Sequence, residues 1–375
     1  MSTTRTSDRA LGSAARDTAT APPDRPPASR RLASALAFDK IGAVYVWIVI
    51  IVVFTIWAPD TFPTLDTAKQ ILNTNAVTGL AALAILIPLS ARVFDLSFAY
   101  VMTLSGVVVA KLITHGTPLG LAILIGLLVG VGIGLVNASI VVIAKIDSFI
   151  GTLATGSLIL ALITMVTNDT PVSSGALAGK FAKIGQTNIN GVTLPVIYMM
   201  VVAAAIWYLL EHTATGRRLY ATGFNPDAAR LAGVPVNRLR FVSLVTSGTL
   251  AGATGIVLAS ILGSGSPTAG TPYLLPAFAA AFLGATQLKN GRFNAWGTVI
   301  AVLLLGTGTT GLALAAAPQW SQSMFVGVVL IGALAVTGLQ RRTSVSARGS
   351  GVHGAGVAGT DQPGVASGTP LSEED

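Results

Sequence analysis

Two glycine-rich stretches have residue types and spacings that could form a nucleotide-binding site. Gly306–Gly311 reads GTGTTG and matches the G-x-G-x-x-G pattern of dinucleotide sites, but it lies inside an apolar segment with no strand before it. Gly175–Phe181 has one residue too few for a phosphate-binding Walker A loop, and Phe181 stands where a magnesium-binding Ser or Thr is needed. We therefore expect no nucleotide site on this chain.

Metal and nucleophile chemistry also lacks support in the sequence. The chain has no cysteine, which excludes disulfides and thiolate metal sites. His115, His212 and His353 fall in separate segments and form no ligand cluster. The sequence contains no recognisable nucleophile–base pair. It predicts no catalytic residue, no metal site and no cofactor, and hence a protein that is not an enzyme.

Arg92 and Asp95 are opposite charges flanked on both sides by long apolar runs. If the backbone is helical here, they are three residues apart and can form an ion pair. Charged groups within apolar segments commonly mark a solute pathway. An exposed turn with no role in a pathway is an equally good interpretation of these two residues.

The composition indicates whether the chain is surrounded mainly by water or by lipid. Of the 375 residues, 52% are hydrophobic and only 10% are charged, against about 25% charged in an average soluble domain. Such a chain cannot cover a water-facing surface, so most of it must face lipid. The net charge of +8 is spread over segment boundaries, which indicates membrane topology rather than nucleic-acid binding.

The apolar segments predict an all-α polytopic membrane protein with about ten transmembrane helices. They lie at 41–58, 76–90, 97–113, 118–144, 148–166, 193–210, 241–262, 273–286, 295–316 and 323–339. Residues 1–39 and 341–375 lack apolar periodicity, and we expect two disordered cytoplasmic tails. The permease domain is then 40–340, with a charged segment at 215–240.

The distribution of Lys and Arg predicts the orientation. With alternating spans, 19 of the 23 basic residues fall on the side of the two termini, and four lysines (69, 111, 180 and 183) fall on the other. Because basic residues concentrate in cytoplasmic segments, both termini are expected in the cytoplasm. Residues 167–192 then form the longest outside loop.

Two interruptions break the pattern of simple spans. One is 88–97, which contains Pro88 and the charged pair, and the other is the Gly/Pro-rich stretch 263–272. Broken segments at corresponding positions of two halves point to a central pathway between inverted repeats. A plain reverse turn is the alternative for each. Separately, Gly126, Gly130 and Gly134 have the G-x-x-x-G spacing of close helix contacts, which we expect within one subunit.

The charged segment Thr215–Arg240 contains a short helix with both ends marked. Asn225 can cap the N-terminus and Pro226 suits the first helical position. Gly233 can adopt the left-handed conformation that ends a helix, and Pro235 prevents its continuation. About seven residues are too few for an independent helix, because isolated helices need about 12–15. Either this short helix docks in the groove of a partner protein, or it is a simple connector.

The stretch GFNPDAARLAGVPVNRLR (223–240) resembles the cytoplasmic coupling segment of permease subunits of bacterial sugar ABC importers of the ribose, xylose and galactose type. In that family, G-x-N-P-x-A-A-R-x-x-G-I/V follows a G-R segment, here Gly216-Arg217. The resemblance extends from about Ile41 to Leu339 and implies docking on a separate ATPase subunit. The residues implied in docking are Asn225, Pro226, Asp227, Ala228, Ala229, Arg230, Leu231 and Gly233.

Both interruptions also resemble segments of this family. Asp95-Leu96-Ser97 keeps the family's I-D-L-S turn, although Ala91 and Arg92 replace two glycines. Gly263–Tyr273 resembles the family's G-S-x-x-P-x-A-G-x-x-Y segment. The expected translocation-pathway residues are Asp95, Ser97, Gly265, Pro267, Gly270 and Tyr273.

The resemblance implies a multi-pass permease of the bacterial plasma (inner) membrane that imports a monosaccharide or sugar-like solute. Its implied partners are an ABC ATPase, an extracytoplasmic solute-binding protein and a second permease subunit, with lipid around it and no nucleic acid. A branched-chain amino acid ABC permease is the nearest alternative. An ion-coupled secondary transporter is a further one, although Asp95 is the only carboxylate in a span that could serve it.

Overall fold

The computed structural model describes residues 38–288 and 291–332, and the description below concerns that part of the chain. The expected tails lie outside it, except for Phe38 and Asp39, which begin the first helix. Helices dominate, and each apolar segment of the sequence overlaps one of them. The last segment does so only over its described part, because residues 333–339 lie outside the described range.

The first half of the chain contains five long helices. They are α1 (Phe38–Trp57), α2 (Leu65–Ser90), α3 (Phe98–Thr114), α4 (Leu119–Ala138) and α5 (Ser148–Thr167). A π-helical turn, Ser139–Ile143, extends α4. Polar caps begin two of these helices: Thr64 accepts a hydrogen bond from the Thr67 N–H, and Asp147 accepts from the N–H groups of Phe149 and Ile150.

The second half begins after a loop that contains short elements. These are β1 (Val172–Ser173), a 3-10 turn (Gly175–Ala178), α6 (Ala182–Gln186), β2 (Asn188–Ile189) and β3 (Val192–Thr193). The helices that follow are α7 (Leu194–His212), α8 (Ala214–Phe224), α9 (Pro226–Leu231) and α10 (Val236–Leu262). After β4 (Ser264–Gly265) and a 3-10 turn (Thr271–Tyr273) come α11 (Leu274–Leu288), α12 (Ala295–Leu314) and α13 (319–332).

Six helices in the described part are long and apolar enough to cross a membrane: α2, α4 with its π-turn, α5, α7, α10 and α12. Shorter apolar helices cover Tyr45–Trp57, Phe98–Thr114 and Thr271–Ala285. The strands are two residues long and pair only as β1 with β4 and β2 with β3. The expected all-α polytopic fold is confirmed.

Helix α10 is the centre of the bundle and packs against α2, α3 and α4. Glycines make the contact with α4 very close. A Cβ on Gly130 would clash with the carbonyl oxygen of Gly248, and one on Gly134 would lie 2.9 Å from the Cα of Val245. The G-x-x-x-G face is therefore used within the subunit, as expected.

The connections between helices collect at two ends of the bundle. One, the charged end, comprises residues 91–92, 144–148, 213–240 and 291–294. The other, the loop end, comprises 168–193 and 263–265, which β1 and β4 join by pairing Val172 with Gly265. At the loop end Asn73 also accepts a hydrogen bond from the Thr193 N–H. Successive long helices thus run in alternating directions.

Candidate functional site

Helix α9 at the charged end forms through its caps. Asn225 has an extended backbone (φ −148°), and its Oδ1 accepts hydrogen bonds from the N–H groups of Asp227 (3.1 Å) and Ala228 (3.0 Å). Pro226 occupies the first helical position, where its missing N–H costs nothing. The expected start of this helix is confirmed.

The C-terminal end of α9 is equally well defined. Gly233 has φ +78°, its N–H donates to the Arg230 carbonyl oxygen at 3.0 Å, and the Val234 N–H donates to that of Ala229 at 3.0 Å. A residue with a side chain is disfavoured at such a φ. Because Ala232 is the C-cap, α9 has six residues, one fewer than the sequence suggested.

Helix α9 packs on its own chain with one face and presents the other to solvent. Ala229 is buried, with 5% of its surface exposed. Leu231 is 91% exposed, and Phe224, just before the helix, is 84% exposed. Asp227 and Arg230 form an exposed ion pair at 3.0 Å. Two large apolar side chains project from the most polar part of the described chain, which is typical of a docking surface.

Helix α8 connects α9 to two spanning helices. Gly223 lies so close to Ser90, the last residue of α2, that a Cβ would clash with the Ser90 carbonyl oxygen. The Tyr220 hydroxyl donates to the Phe293 carbonyl oxygen at 2.7 Å, just before α12. The Arg292 guanidinium lies 4.1 Å above the Tyr220 ring. Sequence reasoning did not select Tyr220 or Arg292, although an aromatic residue in a strongly basic segment was a usable signal.

Burial alters the chemistry of the Tyr220 hydroxyl. Removal from water raises its pKa well above the usual value, and the negative charge of Glu211 raises it further, while Arg292 opposes the shift. The hydroxyl therefore remains a hydrogen-bond donor even in alkaline solution, where an exposed tyrosine would lose its proton.

The first interruption turns back into the bundle. Pro88 lies in the last turn of α2, and Arg92 adopts a left-handed backbone (φ +58°) after it. The Phe94 N–H donates to Ser148 Oγ at 3.1 Å and the Leu96 N–H to Thr152 Oγ1 at 3.0 Å, so this segment is held against α5. Residues 91–97 are not helical, so the condition on which an Arg92–Asp95 ion pair depended is not met.

Asp95 is fully buried at the start of α3 and bonded only to neutral groups. Its Oδ1 accepts from the Ser97 N–H (3.1 Å) and Oγ–H (2.7 Å), and its Oδ2 accepts from Ser247 Oγ in α10 (2.7 Å). Asn137 Nδ2 donates to Ser97 Oγ at 2.7 Å. Arg92 is exposed and forms no ion pair with Asp95, because the left-handed turn directs the two side chains apart.

The second interruption inserts from the loop end along α3. Gly263 ends α10 with φ +61°, and Gly265 then packs against Val107 and Ala110. Further along, the Gly270 N–H donates to Thr103 Oγ1 at 3.0 Å. The chain thus passes from near the end of α3 towards its beginning before α11 starts.

The two interruptions therefore meet on α3 from opposite ends. Asp95 and Ser97 lie just before its first turn, and Gly265, Pro267 and Gly270 are buried in the segment that runs along α3. Tyr273 is half-buried at the start of α11. An aromatic contact between Phe98 and Phe278, with ring centroids 5.9 Å apart, joins α3 to α11 directly. Within the described residues, no three His, Asp or Glu side chains form a metal-binding group.

A family model described as "Branched-chain amino acid transport system / permease component" matches residues 67–334. That range begins at the third residue of α2 and includes all described helices from α3 to α13, with both interruptions and the whole charged segment. A comparison with solved structures found no match.

Several curated proteins are similar over most of this chain. The ribose import permease protein RbsC of Haemophilus influenzae is 32% identical over 289 residues, which cover 76% of this chain and 89% of that protein. The D-allose transport system permease protein AlsC of Escherichia coli K12 is 31% identical, covering 80% and 92% of the two chains. The L-arabinose transport system permease protein AraH of the same strain is 32% identical, covering 79% and 90%.

Proposed function

Because this chain belongs to the family of branched-chain amino acid transport system permease components, we propose that it is the membrane-spanning permease subunit of an ATP-driven ABC importer. Its solute is a monosaccharide or a sugar-like compound. We infer the solute class from similarity to permeases named for ribose, D-allose and L-arabinose. They are 31–33% identical to this chain over three-quarters or more of its length. These relatives favour a sugar over a branched-chain amino acid, the solute that the family description names.

The ATPase subunit docks on α9 and the exposed residues beside it. Leu231 and Phe224 supply the apolar anchors, and the Asp227–Arg230 ion pair supplies a polar rim. The segment used is the one expected from the sequence: Asn225, Pro226, Asp227, Ala228, Ala229, Arg230, Leu231 and Gly233. The caps hold the helix rigid without a partner, so docking loses little ordering entropy.

The transporter is arranged with both termini in the cytoplasm of a bacterium and about ten spans in the plasma membrane. Two inverted halves are supported by a repeated order of elements. A long helix, an interruption and a short helix occur as α2–α3 and again as α10–α11, with the interruptions entering from opposite ends of the bundle. A second permease subunit and an extracytoplasmic binding protein complete the importer.

Coupling proceeds from α9 through α8 to the spanning helices. Movement of α9 reaches α2 through the contact of Gly223 with Ser90, and it reaches α12 through the Tyr220–Phe293 hydrogen bond. ATPase closure then favours one access state of the pathway over the other. The two interruptions form the pathway. Its residues are Asp95, Ser97, Gly265, Pro267, Gly270 and Tyr273. Asp95 joins the two halves of the chain through its hydrogen bond with Ser247 of α10.

Reconstitution tests this assignment. The permease is placed in proteoliposomes with the ATPase and binding protein encoded beside it, and uptake of labelled ribose, allose, arabinose and leucine is compared. We expect ATP-dependent uptake of one of the sugars and none of leucine. Uptake driven by an ion gradient without ATP would contradict the assignment, and ATP-dependent uptake of leucine would restore the amino acid alternative.

A further inference from the structure

A basic cavity lies at the charged end, between α9, the first interruption and the loop that joins α4 to α5. It has a volume of ≈ 760 Å³ and is lined by four cations, Arg92, Lys145, Arg230 and Arg240, and by one acidic side chain, Asp147. These cations come from four separate parts of the chain. Their convergence creates a strongly positive concave surface.

Most of this positive charge is uncompensated. In the described part of the chain, Arg92, Lys145 and Arg240 have no ion-pair partner, and Arg230 pairs with Asp227 at the surface. The Asp147 carboxylate already accepts the N–H groups at the start of α5. Arg240 Nε is buried without a hydrogen-bond acceptor. A buried charged donor without an acceptor costs free energy.

Two of the cations are held in a strained backbone. Arg92 and Lys145 both have φ +58°, a left-handed conformation that costs a side-chain-bearing residue free energy. Glycine would adopt this conformation freely. The chain therefore places a cation at two positions lining one cavity, in a backbone conformation that glycine adopts without strain.

The other side of the cavity is apolar and continues into exposed aliphatic surface. Val93, Val141 and Ile146 line it. Immediately beside it, Ile143 at the end of α4 is 70% exposed and Ile150 at the start of α5 is 64% exposed. Cations beside exposed aliphatic residues at a helix end are typical of the bilayer interface.

We propose that this cavity binds the phosphate headgroup of an anionic phospholipid, with the acyl chains along the exposed faces of α4 and α5. Arginine guanidinium groups match phosphate oxygens in geometry and charge. Basic pockets between transmembrane helices are known sites for anionic headgroups. The adjoining aliphatic surface favours a lipid over free phosphate, which would leave that surface unused. Because Arg230 lies in α9, the lipid would touch the helix proposed to receive the ATPase.

Because glycine adopts a left-handed backbone freely, Arg92 and Lys145 can be replaced by glycine to test the cavity without an expected loss of folding. The double variant Arg92→Gly/Lys145→Gly removes two charges and relaxes the backbone at both sites. The control Arg217→Gln/Arg218→Gln removes two exposed charges from α8, outside the cavity. Purified full-length chain in neutral detergent is titrated with phosphatidylglycerol or phosphatidylcholine. Binding is measured by thermal shift and by native mass spectrometry.

We expect tighter binding of phosphatidylglycerol than of phosphatidylcholine by the unmodified chain. Each removed cation should weaken this binding about fivefold, so the double variant should lose about 25-fold. The control should keep its affinity within about twofold, because its charges lie farther from the headgroup. Equal affinity in the double variant and the unmodified chain would overturn the proposal.

Two further measurements distinguish a phospholipid from other ligands of this cavity. Inorganic phosphate or glycerol phosphate that reproduces the full thermal shift would show a site for soluble anions and overturn the lipid assignment. If the double variant loses ATPase co-purification while it keeps phosphatidylglycerol affinity, the cavity serves an acidic surface of that protein and the lipid assignment fails.

Discussion

The Tyr220 hydroxyl donates to the Phe293 carbonyl oxygen at 2.7 Å and so ties α8 to the residue that lies two positions before α12. Tyr220→Phe removes this hydrogen bond and keeps the ring beneath Arg292. A hydrogen bond contributes about 0.5–1.5 kcal/mol to stability, so we expect only a small fall in melting temperature. We expect a clear fall in solute-stimulated ATPase turnover, because the bond connects α8 to the segment before α12. Unchanged turnover in the reconstituted complex would show that this contact does not transmit coupling.

The exposed Leu231 side chain gives the most direct test of ATPase docking. Leu231→Glu places a charge at an apolar anchor without disturbing the interior of the chain, because the residue is 91% exposed. We expect ATPase co-purification to fall at least about tenfold, since loss of an interface anchor costs about 2 kcal/mol or more.

The matched control for this variant is Leu65→Glu, which alters another exposed leucine at the opposite end of the bundle. It should retain the ATPase fully. Equal retention by both variants would reduce α9 to a connector between α8 and α10.

The Asp95–Ser247 hydrogen bond predicts a selective stability effect. Ser247→Ala removes a hydroxyl donor from a buried carboxylate, which costs about 1.5–3 kcal/mol. We expect a clear fall in melting temperature in detergent. Ser157→Ala, which removes an exposed hydroxyl on α5 bonded only within its helix, should leave the melting temperature nearly unchanged. Equal effects would mean that the Asp95 contact is energetically negligible.

Gly270 tests whether transport depends on the second interruption and its close packing on α3. A Cβ there would clash with the Ala99 carbonyl oxygen, whereas a Cβ on Gly132 would meet nothing within 4 Å. We expect Gly270→Ala to reduce uptake severely and Gly132→Ala to preserve it, with both proteins inserted in the membrane. Uptake and melting temperature are measured together. Full uptake by Gly270→Ala would refute a pathway role for the second interruption.

Orientation can be tested with single cysteines, since the chain has none of its own. Lys180→Cys lies in the long loop, and Arg218→Cys lies in α8 at the charged end; both side chains are exposed. An impermeant thiol reagent added to intact cells should label only the cysteine at 180. Labelling at 218 alone would invert the proposed topology.

Local features of this chain could be predicted from the sequence because their causes are local. The caps of α9 involve Asn225, Gly233 and their immediate neighbours, so their residue types were sufficient. The positions of the apolar helices follow from composition for the same reason. The glycine face of α4 was also informative, because its spacing specifies a close contact without naming the partner helix.

Long-range features could not be predicted from the sequence. Asp95 is bonded to Ser247, 152 residues away, and β1 pairs with β4 across α7 to α10. Neither pairing leaves a signal in its own segment. The outcome at Arg92 and Asp95 has a related reason. An ion pair between them required a helical spacing, which the sequence left open, and the left-handed Arg92 backbone could be recognised only from the folded chain.

The contact between α4 and α10 has a mechanical consequence. Where Gly130 and Gly134 meet Gly248 and Val245, backbone touches backbone and no side chain lies between the helices to absorb strain. The two helices should therefore behave as one stiff strut that spans the subunit. We expect the pair to move as a unit during the transport cycle, with the bending confined to other parts of the subunit.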